Sequence, residues 1–308
     1  AEWSGFEAAL CFTTGYQTNL GAISALAGKG DHVISDKLNH ASIMDGIFLS
    51  KGFAGNVNLH RYRHNDMKDL EARLQKIPED EGKLIVTDGV FSMEGDVARL
   101  LEMRALADKY KAALYLDEAH SVGVLGKSGR GTAEHFDNKV QPDLTMCTFS
   151  KTFGSIGGYV AGPAEVIDYI KHFARPLIFS ASMPPANLAS VMASLDILEA
   201  EPERVLRLQE IARKMIDGFQ SLGFDTGVTE TPIIPLVTGT PEQTIRFWHA
   251  LFNRGIYTNP VIPPAVPPNR CLIRTSYMSL HTDDDLDFFL KTAAEEAEKL
   301  GLLNGQKG

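Results

Sequence analysis

The sequence predicts an α/β protein, with a mostly parallel sheet in a large first domain and a smaller α+β domain at the C-terminal end. Three observations lead to this prediction. The 308 residues, 44% of them apolar, can bury a full core. Short apolar runs alternate with amphipathic stretches through the first half, and long helical periodicity follows the Pro-Pro pair at 184 and 185. We predict a large domain over 1–185, a connecting helix over 186–214 and a small domain over 215–308.

The strands of the first domain are predicted from short runs that are apolar on both faces. They are HVISD from 32, NVNLHRY from 56, KLIVTDG from 83, AALYLDE from 112, LTMCTFS from 144 and GGYVAG from 157. Helical periodicity at 67–77 and at 100–110 separates some of them. Strands of this kind belong to a parallel sheet that helices cover on both sides. The first residues, 1–3, resemble the middle of a helix, so we expect a further segment of the protein to precede them.

The second half of the sequence predicts longer helices and fewer strands. The elements are, in order, a helix over 187–222, a strand at TPIIPLVTG from 231, a helix over 241–254, a Pro-rich loop over 260–268 and a strand at CLIRTSY from 271. A last helix is predicted to begin after Thr282, because Asp285 three residues later completes a capping box and acidic residues fill the first turn.

Charge and composition restrict the function. The net charge of -9 gives no overall basic field for a phosphate backbone, so no nucleic-acid partner is predicted. The cysteines, Cys11, Cys147 and Cys271, are scattered and lack C-x-x-C spacing, which predicts no metal site and favours a reducing, cytoplasmic location. No apolar run reaches the roughly 18 to 20 residues that span a bilayer. Peripheral membrane contact stays open.

One short stretch suggests a nucleotide-driven motor. Asp117-Glu118-Ala119-His120 resembles a helicase metal box, and Gly126-Lys127-Ser128 resembles the end of a phosphate loop. A Walker A loop requires a glycine at position 121, where this chain has Ser121. The loop also follows the acidic box, whereas a phosphate loop should precede it. The motor interpretation therefore fails.

The residues that follow two predicted strands indicate a different chemistry. Asp117 ends one strand, and Lys151 follows another, with Thr148 and Ser150 before it and glycines after it. Ligands of open α/β sheets bind at such strand ends. A Lys buried there would have a lowered pKa and could form a Schiff base. A Lys for the aldehyde, an Asp for the pyridine nitrogen, and hydroxyl and N–H groups for the phosphate fit pyridoxal 5'-phosphate.

At these residues the sequence resembles the α-oxoamine synthase family, fold-type-I pyridoxal-phosphate enzymes that join an amino acid to an acyl-CoA. The resemblance covers essentially the whole chain. Its motifs are TTGYQTNLGAISAL, DKLNHASIMDG, RYRHNDMKDLEARL, TDGVFSMEGD, LDEAHSVGVLGKSGRG, TFSKTFGSIGGYVAG, FSASMPPA and LIRTSYMSLHT. The chain departs from the family at its beginning, where family members carry a segment that helps to form the acyl-CoA site.

The resemblance implies a role for each site residue. Lys151 holds the cofactor and moves the Cα proton, Asp117 pairs with the pyridine nitrogen, His120 bonds the 3'-oxygen, and His40 stacks on the ring and orients the substrate. The remaining cofactor contacts are to the phosphate, or near the ring for Ser92. They are Gly15, Tyr16, Ser92, Thr148, Ser150 and Ser180, the last reaching the cofactor of a neighbouring subunit. Arg274 binds the amino acid carboxylate, since its planar fork matches a carboxylate.

Five of these residues also have a plainer interpretation. Lys151 fits a surface turn, Asp117 a helix N-cap, His40 a structural histidine, Ser92 a turn serine and Arg274 a solvent-facing strand residue. The aromatic and Met side chains beside Ser92 and Arg274 are interpreted as packing.

The family implies a homodimer with shared active sites and a decarboxylative condensation that gives an α-amino ketone. Serine with a long acyl-CoA is ranked first; alanine, as in 8-amino-7-oxononanoate synthase, and glycine, as in glycine C-acetyltransferase, remain alternatives. A plain aminotransferase and a non-catalytic partner subunit are further hypotheses.

Overall fold

The computed structural model describes residues 1–303, apart from the side chains at positions 53 and 54, and the chain divides into two compact units. The first unit comprises residues 1–91 and 98–202, and the second comprises residues 92–97 and the chain from Glu203 onward. The short segment 92–97 thus belongs with the C-terminal part of the chain, although the sequence analysis assigned it to the large domain. No helix within residues 1–303 has both the length and the apolarity to cross a membrane.

The first unit is built on a seven-stranded sheet. Its strands are β1 (Ala8–Phe12), β2 (His32–Asp36), β3 (Asn58–Tyr62), β4 (Lys83–Asp88), β5 (Ala113–Asp117), β6 (Leu144–Thr148) and β7 (Gly158–Gly162). The order is β1-β7-β6-β5-β4-β2-β3. Strands β3, β2, β4, β5 and β6 run parallel, while β7 and β1 are antiparallel to their neighbours. The mostly parallel α/β fold predicted from the apolar runs is therefore confirmed.

The start of the chain differs from the prediction. Residues 1–3 do not lie in a helix, because the N–H of Gly5 donates to the carbonyl of Glu2 at 3.2 Å and closes a turn. Strand β1 was not predicted. It lies at the edge of the sheet and alternates partly buried and exposed positions, so it lacks the continuous apolar run that marks the central strands.

Helices cover both faces of this sheet. They are α1 (Gly15–Leu26), α2 (Ala41–Ala54), α3 (Met67–Leu74), α4 (Leu100–Tyr110), α5 (Thr132–His135), α6 (Ala164–Phe173), α7 (Arg175–Ile178) and α8 (Pro185–Ala200). Val33 and Val86 pack with α1, α2 and α6 on one face. Ile34 and Ile85, each directly next to one of these valines in its strand, pack with α3 and α4 on the other. The period of two along a strand thus explains why both faces are apolar.

The helix predicted over 187–222 is two helices. Helix α8 ends at Ala200, and α9 (Glu203–Ser221) begins after Pro202. A proline has no N–H for the helical hydrogen bond and disfavours a helical residue before it, so the break falls at Glu201-Pro202. The predicted connecting helix over 186–214 is corrected accordingly.

The second unit contains a small antiparallel sheet with helices packed against it. Its strands β8 (Ile233–Gly239), β9 (Asn259–Val261) and β10 (Cys271–Ser276) lie in the order β8-β10-β9. Its long helices are α9, α10 (Pro241–Asn253) and α11 (Asp283–Lys299). Helix α11 begins with the predicted capping box: the N–H of Asp285 donates to Thr282 Oγ1 at 3.2 Å, and the N–H of Thr282 donates to Asp285 Oδ2 at 2.9 Å.

Candidate active site

Two buried carboxyl groups lie side by side at the carboxyl edge of the large sheet. Asp88 ends β4 and Asp117 ends β5, and these two residues are paired in the parallel register of the strands. Both are buried, with exposed fractions of 6% and 3%. Thr148 ends the next strand, β6. The fold therefore collects Asp117, Thr148 and the turn that follows Thr148 at one edge, as the sequence analysis expected for a ligand site.

Asp117 is held by two donors. The side-chain amide of Asn19, on α1, donates to Asp117 Oδ2 at 2.7 Å, and the N–H of Ala119 donates to Asp117 Oδ1 at 2.9 Å. The second contact matches the N-cap-like interpretation, but the first does not, because α1 is distant in sequence. The carboxylate is thereby fixed in a single orientation. Asn19 was not among the predicted site residues, although it lies inside the TTGYQTNLG motif.

His40 is fixed through both its backbone and its ring. Its N–H donates to Asp88 Oδ2 at 2.8 Å. Its Nδ1 accepts from the N–H of Ser42 at 3.3 Å and lies 2.7 Å from the Ser42 hydroxyl. Burial lowers the pKa of the imidazole, with Lys151 acting in the same direction and Asp117 opposing it. We therefore assign a neutral ring whose proton is on Nε2, since Nδ1 is used as an acceptor.

Asp88 is the second site residue that the sequence analysis missed. Burial and the charge of Asp117 hold its pKa well above the ordinary value of a carboxyl group, while the His40 N–H and Lys151 act in the opposite direction. Two neighbouring carboxyl groups in a dry site resist simultaneous ionisation. The sequence signal was present, because LIVTD ends in an Asp as ALYLD does.

The N-terminal end of α1 meets strand β6 closely. Thr14 caps the helix, with its side chain accepting from the N–H of Gln17 at 3.1 Å. A Cβ atom on Gly15 would lie 2.5 Å from Thr148 Oγ1, so only glycine fits. The Thr148 hydroxyl in turn lies 2.9 Å from the Ser150 hydroxyl. A helix N-terminus beside two hydroxyl groups is a setting in which backbone N–H groups bind a phosphate.

Lys151 and His120 lie in turns at the same edge of the sheet. Lys151 follows β6 and is exposed, which corrects the expectation that a lysine at this position is buried. Ser150 and Thr152 on either side of it are exposed as well, so the start of the turn after β6 lies at the surface of the unit. The charge of Lys151 nevertheless acts on both His40 and Asp88, so it belongs to the same cluster. His120 follows β5 and is partly buried.

Two further predicted phosphate contacts have partners within this chain. The Gln17 side-chain amide donates to the Ser180 hydroxyl at 3.1 Å. The Tyr16 hydroxyl donates to Asp45, and this bond raises the pKa of the phenol. Tyr16 is 44% exposed. Both residues therefore lie at or next to α1, and the reach of Ser180 to a neighbouring subunit stays a prediction.

The other two predicted site residues belong to the second unit. Arg274 lies on β10, and its Nε donates to the backbone carbonyl of Ser92 at 2.6 Å. Burial lowers the pKa of the Arg274 guanidinium. An arginine carries five N–H donors and this bond uses one. The solvent-facing interpretation of Arg274 therefore does not fit, since the side chain is anchored and partly buried.

The functional groups collected at the sheet edge of the first unit suit pyridoxal phosphate. They are a lysine amine, a fixed buried carboxylate, an imidazole and a glycine-lined helix N-terminus beside hydroxyls. Among residues 1–303 there is no group of three or more His, Cys, Asp or Glu side chains arranged to hold a metal ion.

Comparisons with known proteins identify the family of this chain. The profile of the family described as aminotransferase class I and II matches residues 1–292. Serine palmitoyltransferase of Sphingobacterium spiritivorum is 48% identical over 92% of this chain and 70% of its own length. An 8-amino-7-oxononanoate synthase of Thermoanaerobacter pseudethanolicus is 41% identical over 98% of this chain and 76% of its own. The structure of a serine palmitoyltransferase variant of S. paucimobilis with a bound PLP–myriocin aldimine superposes with a TM-score of 0.92 at 37% identity, over 97% of this chain and 75% of that one.

Proposed function

We propose, from the premise that this chain belongs to the aminotransferase class I and II family and within it to the α-oxoamine synthases, that it condenses a small amino acid with an acyl-CoA. The products are an α-amino ketone, CoA and carbon dioxide, and the cofactor is pyridoxal 5'-phosphate. The observation that carries the proposal is the fixed Asp117 carboxylate at the strand edge, in one charge cluster with His40 and Lys151.

Serine is the first candidate for the amino acid and a long-chain acyl-CoA for its partner. The serine palmitoyltransferase relatives, at 45% to 48% identity, support this choice. Alanine is the alternative, supported by the 8-amino-7-oxononanoate synthase relatives at 41% to 43%. Glycine remains the third amino acid to test, on the resemblance of the segment around His40 to glycine C-acetyltransferase.

Four side chains would hold the ring and move the proton. When bound, pyridoxal phosphate supplies an electron sink for the amino acid Cα. Asp117 would pair with the pyridine nitrogen, and His120 would bond the 3'-oxygen. The neutral imidazole of His40 would stack on the pyridine ring of the cofactor and present its Nε2–H to the substrate. The Lys151 amine would bond the aldehyde in the resting enzyme and, once the amino acid has displaced it there, the released amine would remove the Cα proton.

The phosphate and the substrate carboxylate would be bound by the remaining residues. Gly15 and Tyr16 would offer backbone N–H groups at the start of α1, and Thr148 and Ser150 would add hydroxyls. Arg274 would bind the amino acid carboxylate, and its anchor on Ser92 would limit the rotation of the guanidinium. Binding of this kind would orient the bond between Cα and the carboxylate, which breaks when carbon dioxide leaves. Such orientation contributes more to rate than to affinity.

We also propose that the chain forms a homodimer and works in the cytoplasm. Four large apolar side chains are exposed on one stretch of the first unit, at Tyr169, Phe173, Ile178 and Phe179. The last of them, Phe179, directly precedes Ser180, the residue that by resemblance to the family would contact the cofactor of a neighbouring subunit. Sedimentation should give twice the chain mass, and Phe179→Glu should shift it toward the monomer. A persisting dimer in that variant would contradict this interface. The free cysteines, two of them buried, suit a reducing compartment.

The experiment that tests the reaction uses the full chain loaded with pyridoxal phosphate. Visible spectra are recorded while serine, alanine and glycine are titrated separately, and CoA release is then followed with acyl-CoAs of increasing length. Serine alone should give a saturable shift followed by CoA release. Saturation by alanine or glycine alone would transfer the assignment to that amino acid.

The controls separate the competing hypotheses. Lys151→Ala should abolish the cofactor band of the free enzyme, while Lys127→Ala, at another exposed lysine, should not. Conversion of the cofactor to its amine form without acyl-CoA would indicate an aminotransferase instead. A wild-type chain without any cofactor band would indicate a non-catalytic subunit.

A further inference from the structure

Asn19 makes hydrogen bonds to three partners in the interior of the first unit. It is 1% exposed. One N–H of its amide donates to Asp117 Oδ2 at 2.7 Å and the other to the Ser42 hydroxyl at 2.9 Å. Its carbonyl oxygen accepts from the Tyr115 hydroxyl at 3.0 Å. Every polar atom of the Asn19 side chain thus has a partner, which is what a buried amide requires.

The orientation of this amide is determined by its neighbours. A carboxylate oxygen can only accept, so the NH2 group must face Asp117. A flipped amide would place its oxygen against Asp117 and leave the Tyr115 hydroxyl facing a donor. Burial and Asp117 raise the pKa of the Tyr115 phenol, so this hydroxyl keeps the proton that it donates.

The Ser42 hydroxyl continues the chain of hydrogen bonds to His40. Its oxygen accepts a hydrogen bond from the Asn19 amide, and its own O–H can donate to His40 Nδ1 at 2.7 Å. The two contacts of Asn19 therefore link the carboxylate at the end of β5 to the ring at the start of α2. Ser42 and Asp117 are distant in sequence, and this amide bonds both of them.

We propose that Asn19 is a positioning residue of the cofactor site, whose amide fixes the Asp117 carboxylate and, through Ser42, the Nε2–H tautomer and orientation of the His40 ring. The carboxylate that would pair with the pyridine nitrogen and the imidazole that would stack on the cofactor are then held by the same amide. This inference rests on the pyridoxal phosphate site of the proposed function, but not on the identity of the substrates.

The test compares three variants as full chains loaded with pyridoxal phosphate. Asn19→Ala removes both donors, and the nearly isosteric Asn19→Asp places a second carboxylate beside Asp117. Tyr115→Phe is the matched control, because it removes one hydrogen bond of the same buried amide while keeping both donors. The readouts are the dissociation constant of pyridoxal phosphate by equilibrium dialysis and the ring 15N shifts of His40 in histidine-labelled protein.

Both Asn19 variants should raise the dissociation constant about 10- to 100-fold, as expected when a hydrogen bond to a charged group is lost. Asn19→Asp should have the larger effect, because the added charge repels Asp117. The Nε2–H preference of His40 should weaken in both. Tyr115→Phe should change the dissociation constant by less than about threefold and leave the His40 shifts in place.

Two results would overturn the inference. One is a dissociation constant and His40 shifts that stay at wild-type values in Asn19→Asp, a variant that keeps the shape of the side chain. The other is a Tyr115→Phe variant that is as impaired as Asn19→Ala, which would make the network a part of the core only. A chain that shows the expected responses but releases no CoA would count against the proposed function and in favour of the role of Asn19.

Discussion

Glu118 is expected to make the stability of this protein fall as the pH rises. The side chain is 4% exposed, and burial raises the pKa of its carboxyl from 4.5 to about 7. Donors from Thr132 oppose this shift: the N–H lies 3.0 Å from Oε1 and the hydroxyl 2.6 Å from Oε2. The effect of burial is larger than that of these hydrogen bonds, so the pKa of Glu118 stays raised.

The sign and the size follow from proton linkage. Between pH 4.5 and 7 the folded chain keeps a proton on Glu118 that the unfolded chain has lost, so the free energy of unfolding decreases with rising pH. At about 1.4 kcal/mol per unit of pKa shift, the loss from this group approaches about 3 kcal/mol above pH 7. Below pH 4.5 Glu118 contributes no such loss.

The substitution Glu118→Gln removes the titration while keeping the shape. The variant should match or fall below wild type at pH 5, where its altered donor pattern is the main effect. By pH 8 its melting temperature should have risen relative to wild type by about 4 °C, for an unfolding entropy of about 2 cal/mol/K per residue. The measurement is thermal unfolding at saturating pyridoxal phosphate from pH 5 to 8, since bound cofactor also shifts melting.

A matched control is Glu165→Gln, at an exposed glutamate in the first turn of α6. Its difference from wild type should not change with pH by more than about 1 °C. If the difference between Glu118→Gln and wild type is the same at pH 5 and pH 8, the reasoning is refuted, because the folded carboxyl then titrates as it does in the unfolded chain.

Three further predictions test other parts of the structure. Gly15→Ala should raise the dissociation constant of pyridoxal phosphate at least about 10-fold in equilibrium dialysis, since its Cβ would lie 2.5 Å from Thr148. Thr282→Ala should lower the unfolding free energy by about 1 kcal/mol in urea titration, through loss of the α11 cap. Arg274→Lys should raise the KM for the amino acid about 10-fold or more in steady-state kinetics, because lysine lacks the planar fork and the Nε bond to Ser92.

Two of these predictions have a control variant in the same chain. Gly52→Ala, at a helical position with open space around it, should leave cofactor binding unchanged. Arg270→Lys, at an exposed arginine, should leave the KM unchanged. An Arg274→Lys enzyme with a normal KM would remove Arg274 from the substrate site. A Thr282→Ala chain as stable as wild type would mean that the last helix does not depend on its cap.

Local sequence determined the elements whose signals lie within a few residues. Five of the six predicted strands were found because both of their faces are buried, which produces continuous apolar runs. The sixth, β3, lies at an edge of the sheet and has one buried residue. The capping box at Thr282 was predicted because cap and partner are three residues apart. Asp117 and Thr148 were predicted to lie at the ligand edge because each ends a parallel strand.

Tertiary structure decided what depends on residues distant in the chain. Asn19 meets Asp117 across 98 positions, and this contact depends on how α1 is rotated against the sheet. The pairing of Asp88 with Asp117 depends on the register of β4 and β5, and the exposure of Lys151 depends on the path of the turn after β6. Residue type and spacing therefore identified the chemistry of the site, but its hydrogen-bond network and charge balance required packing, because burial and long-range contacts are set only when the chain is folded.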